Sequence, residues 1–172
     1  MPLLTRLKNR LIARIVTRHP ALSGMVVDAF EPLVLQDIPW TSLTKPLDEC
    51  AVALVTTAGV HRRDQQPFDM HDPDGDPTFR EIDAGTPRRD LMITHDYYDH
   101  TDADRDINVV FPLDRIGELV SEGVVGGVTR FHYAFMGHIT GRHVLTLTHV
   151  SAPRVASRLK ELGADIVLLT PG

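Results

Sequence analysis

Apolar residues recur at helical spacing near the start of the chain, at Leu4, Leu7, Leu11 and Ile15. The pattern predicts an amphipathic helix over residues 3–18 that Pro20 stops, with its apolar stripe laid on the core or on a partner subunit. Prolines at positions 32, 39 and 46 and the single Trp40 then break any regular period, which predicts an extended connecting arm over residues 31–49. The run CAVALVTTAG, residues 50–59, is continuously apolar and rich in valine, as a strand buried on both faces would be. ADIVLLT, residues 164–170, is a second run of this type. Thr78–Ile82 and Asp90–Thr94 are shorter strand candidates, and Asn108–Phe111 is another apolar run, ended by Pro112. Leu113–Ser121 has helical spacing before Gly123, Gly126 and Gly127, and VTRFHYAFMGHIT suits a strand followed by a loop. Residues 151–163 suit a helix with Ser151 as its N-cap and Gly163 after its end. A helix leading into an apolar strand, after an earlier strand of the same kind, predicts an α/β fold. We expect a mostly parallel sheet flanked by helices, with long polar loops at the carboxyl ends of the strands. The 172 residues suit one domain, with 1–49 as helix and arm and 50–172 as core.

Charge changes this picture in one place. Twelve of the seventeen aspartates and four of the nine histidines lie between His61 and Asn108. That segment holds thirteen acids against six arginines, while the whole chain nets −5. Polar loops of this kind on a rigid scaffold tend to carry binding and catalytic groups. The basic residues are not gathered on one element, which argues against nucleic acid as a partner. Cys50 is the only cysteine, which excludes an internal disulfide or a cysteine-built zinc site and suits a reducing cytoplasm. No apolar run approaches the roughly 20 residues of a membrane span, and the basic start lacks the apolar stretch and cleavage site of a signal peptide.

The candidate chemistry is in the histidines and carboxylates. In HDYYDH, His95 and Asp99 are four apart and would share one face of a helical turn. With His132 they could form a metal site, although the spacing matches no established signature; the alternative is that they bond loop backbones and cap turns. Asp72, Asp74 and Asp76 alternate around Gly75 like part of a calcium loop. Pro73 and Pro77 interrupt it, and Asp83 stands where a calcium loop has glutamate. A rigid series of turns, with aspartates bonding their own loop amides, is the better reading. There is no nucleophile elbow and no phosphate or dinucleotide loop. Cys50 opens the first core strand, at the end opposite the expected site, and reads as a small buried hydrophobe.

Four ordered segments carry a resemblance: VALVTTAGVHRRDQQPFDMHDPDGDPTFREI, THDYYDHTDADRDINVVFPLDRIGELVSEGVVGG, FHYAFMGHI and ADIVLLTPG. Together they resemble the glycine/sarcosine/betaine/D-proline reductase selenoprotein B family, over about residues 50–172. The resemblance implies an oxidoreductase component in which a cysteine or selenocysteine attacks the substrate's α-carbon and the C–N bond is cleaved. It places that nucleophile just beyond Gly172. Two explanations stand: a selenocysteine codon read as a stop, which would make the chain truncated, or a branch whose nucleophile is lost or supplied by another chain. The DNA beyond codon 172 distinguishes them.

The resemblance also places His61, Asp69, Asp72, His95, Asp99, Asp106, Asn108, His132 and Gly137 on shared positions. Among these, His61, His95 and Asp99 are the catalytic candidates: the histidines to stabilise a thiolate or protonate a leaving amine, and Asp99 to orient them. Asp69, Asp72, Asp106, Asn108 and His132 are the substrate-binding candidates, with Asp69, Asp72 and Arg80 tying the loop together. No cofactor beyond the nucleophile is implied. The expected partners are a small amine or amino acid, other reductase subunits and a second copy of the chain. A non-catalytic binding or assembly subunit, and a metal-dependent enzyme using His95, Asp99 and His132, are the competing readings.

Overall fold

A computed structural model describes residues 3–19, 24 and 41–172. Pro20, Trp40 and most of the proline-rich arm lie outside the described residues. The first element, α1 (Leu3–Arg18), is followed in the core by β1 (Ala51–Thr56), β2 (Val60–Arg62), β3 (Arg80–Asp83) and β4 (Leu91–Ile93). Then come α2 (Thr101–Arg105), α3 (Leu113–Ser121), β5 (Gly127–Val128), β6 (Phe131–Ala134), α4 (His143–Thr146), α5 (Ala152–Glu161) and β7 (Ile166–Thr170).

β1 is the centre of the main sheet. It pairs in parallel with β7 along its length, from Val52 opposite Ile166 to Thr56 opposite Thr170. On its other side it meets β5 near its start and β6 near its end, both parallel. β3 joins the outer side of β6 antiparallel. The expected α/β architecture is present: three parallel pairings around β1, and one antiparallel strand at an edge. β2 and β4 form a separate antiparallel pair. β2 was not apparent in the sequence, because its three residues include His61 and Arg62.

Alternating side chains of β1 build two cores. Val52 and Leu54 pack with Ile82, Phe111, Leu113 and Ile116 under α3, while Ala53 packs with Tyr133, Phe135, Val155 and Leu159 under α5. Fully buried groups such as Leu54 and Phe111 each contribute about 1.5–3 kcal/mol.

Three local expectations are corrected. Ser151 is no N-cap: it has helical φ −72° and ψ −48° and makes no side-chain capping bond. The helical run starts earlier, at His143, and passes through a π-helical turn at Leu147–Ser151 into α5. Pro153 explains the turn, since its ring has no N–H and crowds the carbonyl four residues back, so the backbone widens there. Residues 107–109 form a 3-10 turn rather than extended chain, because the Asp106 side chain accepts the Asn108 amide and starts it. The third correction concerns α1. Its row of Leu4, Leu7, Leu11 and Ile15 is 43–78% exposed, so it does not lie on the core. The opposite side, with Arg6 and Ala13, faces the body.

Candidate active site

The polar segment owes its shape to one repeated device. Asp69 accepts the backbone N–H of His71, Asp72 that of Asp74, Asp76 that of Thr78 and Asp83 that of Gly85. Asp99 and Asp106 do the same for Thr101 and Asn108. In each case the carboxylate reaches two residues forward, a ring that aspartate closes and the longer glutamate does not. The turn reading made for Asp72, Asp74 and Asp76 holds at Asp72 and Asp76, and Asp69, Asp83, Asp99 and Asp106 use the same device.

These turns hold three loops together beyond β1. Arg142 and His143 both donate to Asp72, His143 at 3.0 Å. The hydrogen bond from His143 is the main reason the Asp72 carboxyl is held down at about 2. His138 donates to the Pro73 carbonyl and stacks on Tyr97, with ring centroids 3.9 Å apart. Gly75 lies at φ +87°, where a side chain would strike the His138 carbonyl.

His95 sits where these loops meet the carboxyl end of β1. It is 3% exposed. Its Nδ1 faces the Tyr97 amide at 3.1 Å and its Nε2 faces the Gly137 amide at 3.2 Å. A neutral imidazole has one acceptor nitrogen and an imidazolium has none, so two facing donors oppose the cation. Burial, with His100 and His138 nearby, lowers its pKa to about 4. Gly59, at φ +74°, lets the chain pass 2.5 Å from the Thr94 carbonyl, measured from the position of a Cβ, and sets His95 against β1. Tyr98 donates to the Ala58 carbonyl at 3.0 Å, and Gly172 packs directly on Ala58. The end of β7 and His95 thus share the same corner of the sheet.

Next to His95, Asp96 is buried and accepts from two arginines, Arg6 on both oxygens at 2.5 and 3.3 Å and Arg10 on Oδ1 at 2.7 Å. Burial alone would push its carboxyl up, but the two guanidinium groups outweigh that and its pKa is lowered. No sequence pattern pointed to Asp96. Its signal is the acid-free basic face of α1, which needs a carboxylate partner.

The structure does not bring the remaining candidates to His95. His61 donates from Nδ1 to the Arg62 carbonyl and accepts from the Thr94 hydroxyl, so both ring nitrogens are occupied. His132 is fully buried in the sheet, its Nδ1 accepting the Leu54 amide at 3.0 Å. Its Nε2, which carries the proton in that tautomer, has no partner. Burial lowers the pKa of both rings, that of His132 to about 4. Residues 94–100 are irregular, with a bend at 96–98 and no helix, so His95 and Asp99 do not share a helical face. Asp99 instead caps α2 through Thr101. With His132 inside the core and Asp99 spent on a turn, the metal set of His95, Asp99 and His132 does not converge. Among the described residues no group of three or more such side chains can hold a metal ion. Asp69 lines a cleft of about 470 Å³ with Arg6, Phe68, His71 and Thr94. Asp106 and Asn108 line a different one, of about 680 Å³, beside Arg63, Arg88 and Arg105.

An α/β sheet with a loop-built polar corner beyond the carboxyl end of its central strand is where ligands sit in folds of this class. The profile of the glycine/sarcosine/betaine reductase selenoprotein B family matches residues 32–172, and the chain belongs to that family. It is 35% identical over 151 residues to D-proline reductase subunit gamma of Acetoanaerobium sticklandii, spanning 88% of this chain and 60% of that subunit. It is 29% identical to the glycine reductase complex component B subunit gamma of Symbiobacterium thermophilum, over 77% of this chain and 31% of that protein. It is also 29% identical to the betaine reductase complex component B subunit beta of Peptoclostridium acidaminophilum, over 73% and 29%. The chain thus spans about a third to three fifths of these relatives. No solved structure gives a significant match. No helix among the described residues is long and apolar enough to cross a membrane.

Proposed function

We propose that this chain supplies the substrate-binding part of a reductase component that cleaves the C–N bond of a small amino acid or amine. The observation that carries the reading is His95, held neutral between the Tyr97 and Gly137 amides where Gly172 meets Ala58. A thiolate or selenolate at that corner would form a bond to the substrate's α-carbon as the C–N bond breaks. The C–N electron pair would leave on nitrogen, which departs from the substrate ammonium as the neutral amine and is protonated by solvent, and the carbon fragment would stay on sulfur or selenium. Cys50 is not that nucleophile. It is buried at the opposite end of β1, about six residues or ~20 Å away, with its thiol on the Pro46 carbonyl. The nucleophile is therefore a cysteine or selenocysteine from outside this sequence, and no other cofactor is invoked.

His95, with a pKa of about 4 and an amide against each ring nitrogen, is neutral and would act by positioning the Tyr97 and Gly137 segments around the substrate rather than by moving a proton. Asp69 lines the separate 470 Å³ cleft and not the His95 corner, so it too would act at one remove. His61, Asp72, Asp99, Asp106 and Asn108 would act at one remove, by holding the loops. His95→Ala and His95→Gln in the assembled reductase test the reading. Turnover should fall at least 100-fold with assembly intact, and full turnover with unchanged substrate binding would remove His95 from the mechanism. The competing reading, an assembly subunit without chemistry of its own, is favoured by the outward apolar row of α1. It predicts that Leu7→Glu disrupts the complex while His95→Ala does not affect the rate.

A further inference from the structure

The two edges of the main sheet are finished differently. β3, at one edge, carries Arg80, Glu81 and Asp83 in four residues. Glu81 meets Arg158 at 2.5 Å, and Asp83 meets Arg130 at 3.4 Å. Gln65 donates its side-chain amide to the Glu81 carbonyl at 2.8 Å. Charges and a side-chain cover of this kind keep other strands off an edge.

β7, at the other edge, has none of these devices among the described residues. Its residues Ile166, Val167, Leu168, Leu169 and Thr170 include no charge and no proline, and they pair with β1 without a bulge. Val167, Leu168 and Leu169 are 39%, 42% and 71% exposed, although they alternate between the two faces of the sheet. A strand that is apolar on both faces is the interior type of a parallel sheet.

We propose that β7 is an interior strand of the working protein. Its free edge would seat a further parallel strand, with the helix that leads to it, from polypeptide that the longer relatives carry and this sequence does not. Direction is one argument, since β5, β6 and β7 all run parallel to β1. Coverage is another. A second copy paired edge to edge through β7 would satisfy backbone groups but leave Leu168 and Leu169 wet on opposite faces. A parallel strand arrives by a helical crossover that covers a face as well. Length is the third. Sixty per cent of D-proline reductase subunit gamma is matched and 40% is not, which is ample for such a unit. The added strand would end beside Thr170 and Gly172, walling the His95 corner on its open side. The proposal rests on family membership and not on the reductive chemistry, so it and the role of His95 fail separately.

Amide hydrogen exchange tests it. In this chain alone, β7 amides should exchange about 100-fold faster than those of β1. In intact D-proline reductase subunit gamma, the strand aligned with Ile166–Thr170 should be as protected as the strand aligned with β1. Edge-like exchange there overturns the proposal. So does a solution mass of this chain at twice 19.1 kDa with β7 protected, which would make a second copy the occupant. Leu169→Lys should leave β1 protection in this chain unchanged, and the equivalent change in the intact subunit should unprotect the aligned strand. A neutral outcome in the intact subunit also overturns the proposal.

Discussion

His95 and His132 are almost equally deprived of water, and burial lowers both pKa values to about 4. Their surroundings differ. His132 joins two strands of the sheet, taking the Leu54 amide and packing edge-on against Phe111. His95 joins two loops, at Tyr97 and Gly137, at the corner reached by the end of β7. Burial and a lowered pKa describe both rings and distinguish neither. What marks a candidate site is that the ring couples loops to a strand's carboxyl end, whereas a core histidine couples strands of the sheet to each other.

The largest test of that contrast is His132→Ala. It leaves a cavity in the sheet and strips the Leu54 amide of its acceptor, a cost of about 3–4 kcal/mol in denaturant melts. A cost below about 1 kcal/mol would remove His132 from the structural core.

Acid sharpens the contrast next. Each ring titrates near 6.5 when unfolded and near 4 when folded, so the unfolded chain binds more protons between those values. Stability is therefore full above pH 6.5 and is lost as pH falls towards 4, by up to about 3 kcal/mol per ring. Carboxylates such as Asp72, held at about 2, add their loss only below about pH 4. Urea melts from pH 7 to 4 should show the histidine window, and His132→Ala should remove its share, leaving that of His95 and His61. An unchanged slope in that variant would mean that His132 is not titrating as its burial requires.

His95→Ala should cost less, about 1–2 kcal/mol, because water can reach the loop amides it leaves. The Tyr97 and Gly137 amides should lose protection while β1 keeps its own. Equal loss across the sheet would erase the distinction between the two histidines.

Much of this was legible in the sequence, and the reasons are specific. β1 announces itself because a strand buried on both faces needs no polar alternation; β7 has the same apolar pattern, but Val167, Leu168 and Leu169 are exposed here and not buried as that pattern predicts. α3 keeps the 3.6-residue period through Leu113, Ile116 and Val120. α1 was legible as amphipathic, but periodicity identifies an apolar face without saying what it meets, and here it does not meet the core. The start of the long helical run was hidden because Ser151 and Pro153 together look like an N-terminus; the π-helical turn that absorbs the proline leaves no pattern. The grouping of the candidate residues was not legible either. Loops have no period, so spacing cannot tell that Asp106 and Asn108 line one cleft and Asp69 another.

The smallest test concerns what positions His95 rather than the ring itself. Asp99 accepts both the amide and the hydroxyl of Thr101, and so starts α2 just after the His95 bend. Asparagine can close the same ring through its side-chain oxygen, whereas glutamate is one methylene too long. Asp99→Asn should therefore cost less than about 0.5 kcal/mol and Asp99→Glu about 0.5–1 kcal/mol, close to the value of a helix cap. The two substitutions invert the usual expectation, since glutamate keeps the charge and asparagine loses it. If Asp99→Asn were the more damaging, the carboxylate would be valued for its charge, as an orienting group should be, and the turn would be secondary. Arg14, 3.9 Å from Asp99 and largely exposed, is too distant and too well solvated to produce that result on its own. Thermal melts of the two variants, with exchange at the Thr101 amide, decide between a turn-forming aspartate and an orienting one.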